Sequence, residues 1–256
     1  MKKIIILYVC SIISLSILGQ KHDYVWLWNN DGEATPGVES NILDFNDGQR
    51  VLIQDTAEIQ LDQVNISMSD KEGNLLFYFN GCYIAGADHQ LIENGDSINY
   101  GEWWGFINDC NSGYTGPQNS LALPDPTNED GYYLLHKRID FVEFPERQTI
   151  TILDLMYTYI DMSANGGKGK VLEKNVIYFQ DTIMSNYTHA TKHANGKDWW
   201  MIDLKVTPLG GTPTNTYFMF LLDENGPKYH HSHEMGPKFT DNTSAGGAAK
   251  FSPDGE

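Results

Sequence analysis

The chain has 256 residues, with 17 Lys and Arg against 34 Asp and Glu, for a formal net charge of −17. A field of that sign repels nucleic acid and anionic lipid, which sets both aside as partners. The length allows one large all-β domain or two smaller ones.

Residues 1–20 read as a signal peptide. Lys2-Lys3 is a charged start, Ile4 to Leu18 is an apolar run, and Gly19-Gln20 supplies a small residue for cleavage. The run is shorter than the roughly twenty residues a membrane-spanning helix needs, and no second one follows. The mature chain is therefore expected to be exported, secreted or on the cell surface, with no membrane insertion after cleavage. Cys10 lies inside the apolar run and no cysteine follows Gly19, so a lipid-anchored N-terminus is not expected. Losing residues 1–20 removes two lysines and no acids, which moves the net charge from −17 to −19.

Residues 24–28, YVWLW, have strand composition. A polar loop rich in Gly and Pro follows, and residues 41–53 read as strand, turn and strand around Asn46-Asp47-Gly48. Residues 64–80 form a hairpin about the polar turn Ser69-Asp70-Lys71-Glu72-Gly73-Asn74.

Gly81 to Gly116 is longer and irregular. It carries Cys82, Cys110 and Trp103-Trp104. Loops of this length are uncommon within compact domains and are often functional or specially braced. Two cysteines in an exported chain favour one disulfide closing a 28-residue loop; two buried free thiols are the other reading. The aromatics of this segment either cover the end of the domain or form a contact surface.

Further strands are expected at 120–124, 132–139, 150–162, 171–180, 199–204 and 216–223. In the run 150–162, Leu153, Leu155, Tyr157 and Tyr159 share one face at period two. Ala164 to Gly169, ANGGKG, lacks phosphate-loop spacing and has no helix after it, so it reads as a hairpin turn.

A turn followed by an aromatic or aliphatic strand recurs. Gly73, Gly131, Gly196 and Gly255 mark the four copies, at intervals of 58, 65 and 59 residues. No segment after residue 20 sustains a helical apolar period. Each interval has room for four short strands, the mark of a β-propeller, with a β-sandwich as the alternative. The expectation is a β-propeller region over 21–256 with about four blades. Either residues 24–53 complete a closed ring, or the sequence is part of a larger propeller, the reading preferred here.

Candidate chemistry is sparse. His230-His231-x-His233 would put His231 and His233 on one strand face about 7 Å apart, as two metal ligands, or it is a solvated loop. The solvated loop is preferred. His189 and His193 have Ala190 where a zinc-protease helix has Glu, and they read as structural. Asp125 to Gly131, DPTNEDG, is oxygen-rich but lacks the order of a calcium loop. Calcium is thus a minor possibility, and no other cofactor, catalytic residue or metal ligand is assigned. Neither cysteine has the setting of a nucleophile.

Several patches together carry a family likeness: SDKEGNLLFY (69–78) with Asn80-Gly81-Cys82, YTYIDMSANGGKGKVLEKNV (157–176), KHANGKDWW (192–200) and FSPDG (251–255). The chain resembles the N-terminal β-propeller region, of WD40-like or PD40-like repeats, of large secreted Bacteroidota proteins of the gliding-motility type. The resemblance implies an extracellular propeller, further modules and a type IX secretion sorting domain. It also implies that Cys82 and Cys110 pair, and it supplies no catalytic residues. The expected function is a non-catalytic binding or scaffold module for an extracellular protein or glycan. An extracellular enzyme or carbohydrate-binding domain using the channel mouth is the alternative.

Overall fold

The computed structural model describes residues 21–28, 39–47, 51–56, 59–61, 63–110, 113–144, 147–207, 212–239 and 250–252. The signal-peptide reading of 1–20 and the last marker turn, Pro253 to Gly255, lie outside them. No described helix is long and apolar enough to cross a membrane.

The fold is all-β, in four antiparallel sheets that follow one another along the chain. The first contains β1 (Val25–Trp28), β2 (Glu39–Asp44) and β3 (Val51–Thr56). The second contains β4 (Ile66–Ser69), β5 (Leu75–Phe79) and β6 (Ile84–Gly86). The third has β7 (Ser120–Pro124), β8 (Gly131–Phe144), β9 (Arg147–Asp161) and β10 (Lys170–Ile183). The fourth has β11 (His189–Lys192), β12 (Trp199–Leu204), β13 (Thr214–Asp223) and β14 (Gly226–Phe239). In every sheet each strand pairs with the next in sequence, so each is a meander.

The recurring turns have one structural meaning: Asp70–Asn74, Asp125–Asp130 and His193–Asp198 each join the first strand of a sheet to its second. The first strands of the second, third and fourth sheets run side by side in one direction. Gly116 N donates to Gln63 Oε1 just before β7 and β4, and Thr188 N donates to Gln118 O just before β11 and β7. Their far ends meet as well, through Lys71 with Glu129 and through Trp199 Nε1 donating to Pro124 O.

The first sheet breaks this pattern. Asn65 Nδ2 donates to Leu27 O, Ser67 Oγ to Val25 O and Ser69 N to His22 O. Rising numbers on β4 meet falling numbers on β1, so β1 runs opposite to its neighbour. The described strands β1 to β3 thus make a sheet, as their composition predicts, and its first strand lies antiparallel to β4, whereas the first strands of the other three sheets run in one direction.

The third sheet is packed on both faces. Leu135, Lys137, Leu155 and Phe179 point toward the fourth sheet, where Phe179 lies 4.8 Å from Phe218 and 5.1 Å from Phe220 between ring centroids. His136 and Tyr132 point the other way, toward Phe79 and Phe77 of the second sheet. This is why the single-face reading of β9 is incomplete. Met156 and Ile160 are buried on the face opposite Leu155. A sheet covered on both sides reads as a nearly continuous apolar run. One core cluster spans the second, third and fourth sheets, and a smaller one joins the first sheet to Tyr78 and Ala85.

Between β6 and β7 the chain forms a short helix, α1 (Glu102–Phe106), and a single 3-10 turn (Asn108–Cys110). Six of the nine described non-glycine residues with positive φ fall here: His89, Asn94, Ser97, Asn99, Asp109 and Cys110. Such residues need outside support. Cys82 and Cys110, both fully buried, stand at disulfide distance with Cα atoms 6.3 Å apart. Gly81, at φ 94°, lets the backbone pass Tyr114, where a Cβ would come within 2.1 Å of the Tyr114 Cβ. Trp103 and Trp104 are buried, whereas Tyr100 and Phe106 are exposed, so this segment both covers the core and shows aromatics to solvent.

Candidate binding cleft

Each described marker turn is held by its own polar side chains. Asp70 Oδ1 accepts from the backbone N–H of Glu72 and Asn74, and Asn74 Nδ2 donates to Asp70 Oδ2. Asn195 Oδ1 accepts from the N–H of Lys197 and Asp198. These are Asx-type turns, in which a short polar side chain replaces a backbone partner. The hydrogen bonds also hold the Asp70 carboxyl below the usual range, although partial burial pushes the other way.

Because β4, β7 and β11 run together, their turns gather at one end of the molecule. They line a cleft of about 490 Å³ bordered by Asp70, Glu72, Asp125, Glu129 and Asp130, with Lys71, Lys192 and Lys197 interspersed. Its polar groups are partly committed to one another: Lys71 Nζ lies 3.1 Å from Glu129 Oε2.

Past His22 and Pro124 the cleft adjoins a second space of about 550 Å³, bordered by β1, β4, β7 and Trp199. Three tryptophans line it: Trp26, Trp28 and Trp199. Trp26 is 53% exposed, far above what a core indole shows, and its ring packs edge-on against Phe45 at 5.3 Å. Lys192 Nζ lies 3.9 Å from the centre of the Trp199 ring.

Comparison with protein-family models, with curated proteins and with solved structures found no match. The site must be read from its own chemistry.

The histidine-rich segment is a strand, not the solvated loop preferred from the sequence. Residues 230–233 belong to β14, the edge strand of the fourth sheet, where Pro227 is tolerated because an edge leaves its missing N–H without consequence. His230 Nδ1 lies 2.6 Å from His231 Nδ1, and His231 Nε2 lies 2.8 Å from His233 Nε2. His231 thus meets its neighbours through opposite ring nitrogens, and the three rings form a row instead of converging on a point. Among the described residues no group of three or more His, Cys, Asp or Glu side chains is placed to hold a metal ion. His189 is half-buried beside Phe251, with ring centroids 5.8 Å apart, and His193 lies 5.4 Å from Trp200.

The oxygens of Asp125 are already engaged. Oδ1 accepts from Thr127 N, Thr127 Oγ1 and Asn128 N, and Oδ2 accepts from the Tyr159 hydroxyl. That carboxylate shapes a turn. ANGGKG (164–169) connects β9 to β10 as a hairpin, with Asn165, Gly166, Gly167 and Gly169 at positive φ.

Two buried polar clusters escaped the sequence reading. Lys137 Nζ lies 2.5 Å from Asp203 Oδ1 and donates to Met184 O, while Thr188 Oγ1 donates to the Asp203 carboxylate. Burial pushes Lys137 down and Asp203 up, and each opposes the shift of the other. His136 is held between Asn99 Oδ1 at 2.7 Å and Thr158 Oγ1 at 2.9 Å, and burial pushes it down to about 3. The available signal was a charge or imidazole within an apolar strand run, LLHKRI and WWMIDL, which only a close partner can make tolerable.

Proposed function

We propose that this chain is an extracellular, non-catalytic binding or scaffold module, built as consecutive propeller-type blades, with the marker-turn end as its binding face. One observation carries the reading. The repeated turns of three sheets gather around an open polar cleft, whereas the buried histidine and the buried ion pair, His136, Lys137 and Asp203, are shut inside the core with their partners. A general acid or base has to reach its substrate. These three groups serve sheet packing, and the open cleft offers recognition. The secretory reading of residues 1–20, the acidic surface and the likeness to secreted Bacteroidota propeller regions support an extracellular setting and an extracellular protein or glycan as partner.

The experiment is re-association. Labelled mature chain is added to producing cells stripped of their surface proteins, and retention is measured. The expected result is retention that falls several-fold in the Glu129→Gln, Asp130→Asn double variant, whose unfolding temperature stays unchanged. Retention indifferent to this variant would remove the cleft from the reading. Turnover of chromogenic glycoside, ester or peptide substrates, lost in Asp130→Asn, would replace it with the enzyme reading.

A further inference from the structure

The tryptophan-lined space beside the turn cleft has an uneven hydrogen-bonding lining. Two of its three indole donors are used within the protein: Trp26 Nε1 donates to Asp23 O at 2.8 Å and Trp199 Nε1 to Pro124 O at 3.1 Å. Asn65 Nδ2 and Ser67 Oγ both donate to carbonyls of β1, at 2.6 and 2.7 Å. His22 Nδ1 lies 2.6 Å from Ser69 O, a contact that requires Nδ1 to carry the proton and leaves Nε2 as the acceptor in the neutral ring. The residues that line the space thus combine indole surface with groups able to accept: the Asn65 carbonyl, the Ser67 lone pairs and the Asp23 carboxylate.

Flat apolar faces bordered by acceptors select a ligand with apolar C–H faces and many hydroxyl donors. We propose that this space is a sugar subsite of the turn cleft, taking a neutral or amino-sugar glycan. The proposal rests on the binding-module reading above and names its ligand class. A proline-rich peptide, the other usual guest of aromatic grooves, offers carbonyl acceptors and needs indole N–H donors, and here two of the three, those of Trp26 and Trp199, are already used. Acidic glycans meet the carboxylates of Asp70, Glu72, Asp125, Glu129 and Asp130, which outnumber the three lysines of the adjoining cleft. A space of about 550 Å³ is within the range of small-ligand pockets and leaves room for one or two sugar rings.

The test uses the full mature chain on a broad glycan array, followed by titration with chitotetraose, cellotetraose, polygalacturonate and decaproline, read by tryptophan fluorescence and calorimetry. The expected result is binding of at least one neutral or amino-sugar glycan, weakened at least tenfold by Trp26→Ala and partly restored by Trp26→Phe. Trp26 is exposed, so both variants should retain the wild-type circular dichroism spectrum. Retention of no neutral or amino-sugar glycan would overturn the proposal, as would binding of polygalacturonate or decaproline alone, or binding indifferent to Trp26→Ala. Re-association with stripped cells that persists without glycan binding would overturn the sugar subsite alone and leave the binding-module reading standing.

Discussion

Lys137 of β8 and Asp203 of β12 meet at 2.5 Å across the boundary between the third and fourth sheets, with side chains 1% and 2% exposed. The two sheets are also joined by ring packing, by Met184 N donating to Leu204 O and by Lys205 with Asp181 at the end of β10, and this pair adds a charged link inside the core. Nonpolar contacts such as Phe179 on Phe218 tolerate sliding, and a buried charge pair whose ends are also bonded to Met184 O and Thr188 Oγ1 does not. Together with the Lys205–Asp181 contact, the pair holds one sheet in place on the next.

The first prediction concerns this pair. Lys137→Met or Asp203→Leu alone leaves one buried charge without its partner and should cost about 3 to 5 kcal/mol. The double variant should cost clearly less than the sum. A double-mutant cycle from urea unfolding measures the coupling; additivity within about 0.5 kcal/mol would mean that the two charges act independently.

His136 gives a pH dependence of known sign. Its folded value of about 3 lies below the ordinary 6.5, so the unfolded chain takes up a proton over that interval and the folded chain does not. The stabilisation is complete above pH 6.5 and is lost as pH falls toward 3. The linkage is about 1.4 kcal/mol per pH unit, so the loss should reach about 2 kcal/mol by pH 5. Asn99, Thr158 and the nearby Arg138 face the ring, and none offers a negative charge to imidazolium. Burial also lowers His189, so the slope belongs to His136 only where His136→Gln flattens it. The urea midpoint measured from pH 7.5 to 5 in both proteins decides this.

Closing a 28-residue loop between Cys82 and Cys110 should contribute about 3 to 4 kcal/mol on chain-entropy grounds. Reduction, or the double Cys→Ala variant, should lower the guanidinium midpoint accordingly. Limited proteolysis should then cut first between residues 87 and 113, where positive-φ residues concentrate. Two alkylatable thiols in the unreduced mature protein would contradict the pairing.

Two glycines separate backbone strain from crowding. Gly196→Ala places a Cβ at φ 74° with nothing within 4 Å, so it should cost about 1 kcal/mol, the conformational term alone. Gly81→Ala adds a Cβ that meets Tyr114 in the core, and the cost should rise by about 1 to 3 kcal/mol for overpacking. Equal losses in thermal unfolding would mean that the Tyr114 contact relaxes freely.

The sequence by itself determined the strands and their turns. Period-two and aromatic runs place β4, β5, β12 and β13, and the polar Gly-containing turns place the hairpins, because each signal is local. The cysteine pair was legible as one of two readings, from count and compartment. What only the tertiary structure decided is which strands adjoin and which side chains meet. The reversal of β1 beside β4 and the Lys137–Asp203 pair join residues whose relation depends on how sheets stack. So does the cleft, which draws on turns about 60 residues apart in sequence. Local propensity sets a strand, but a site forms where several strand ends converge, and that convergence is a property of packing.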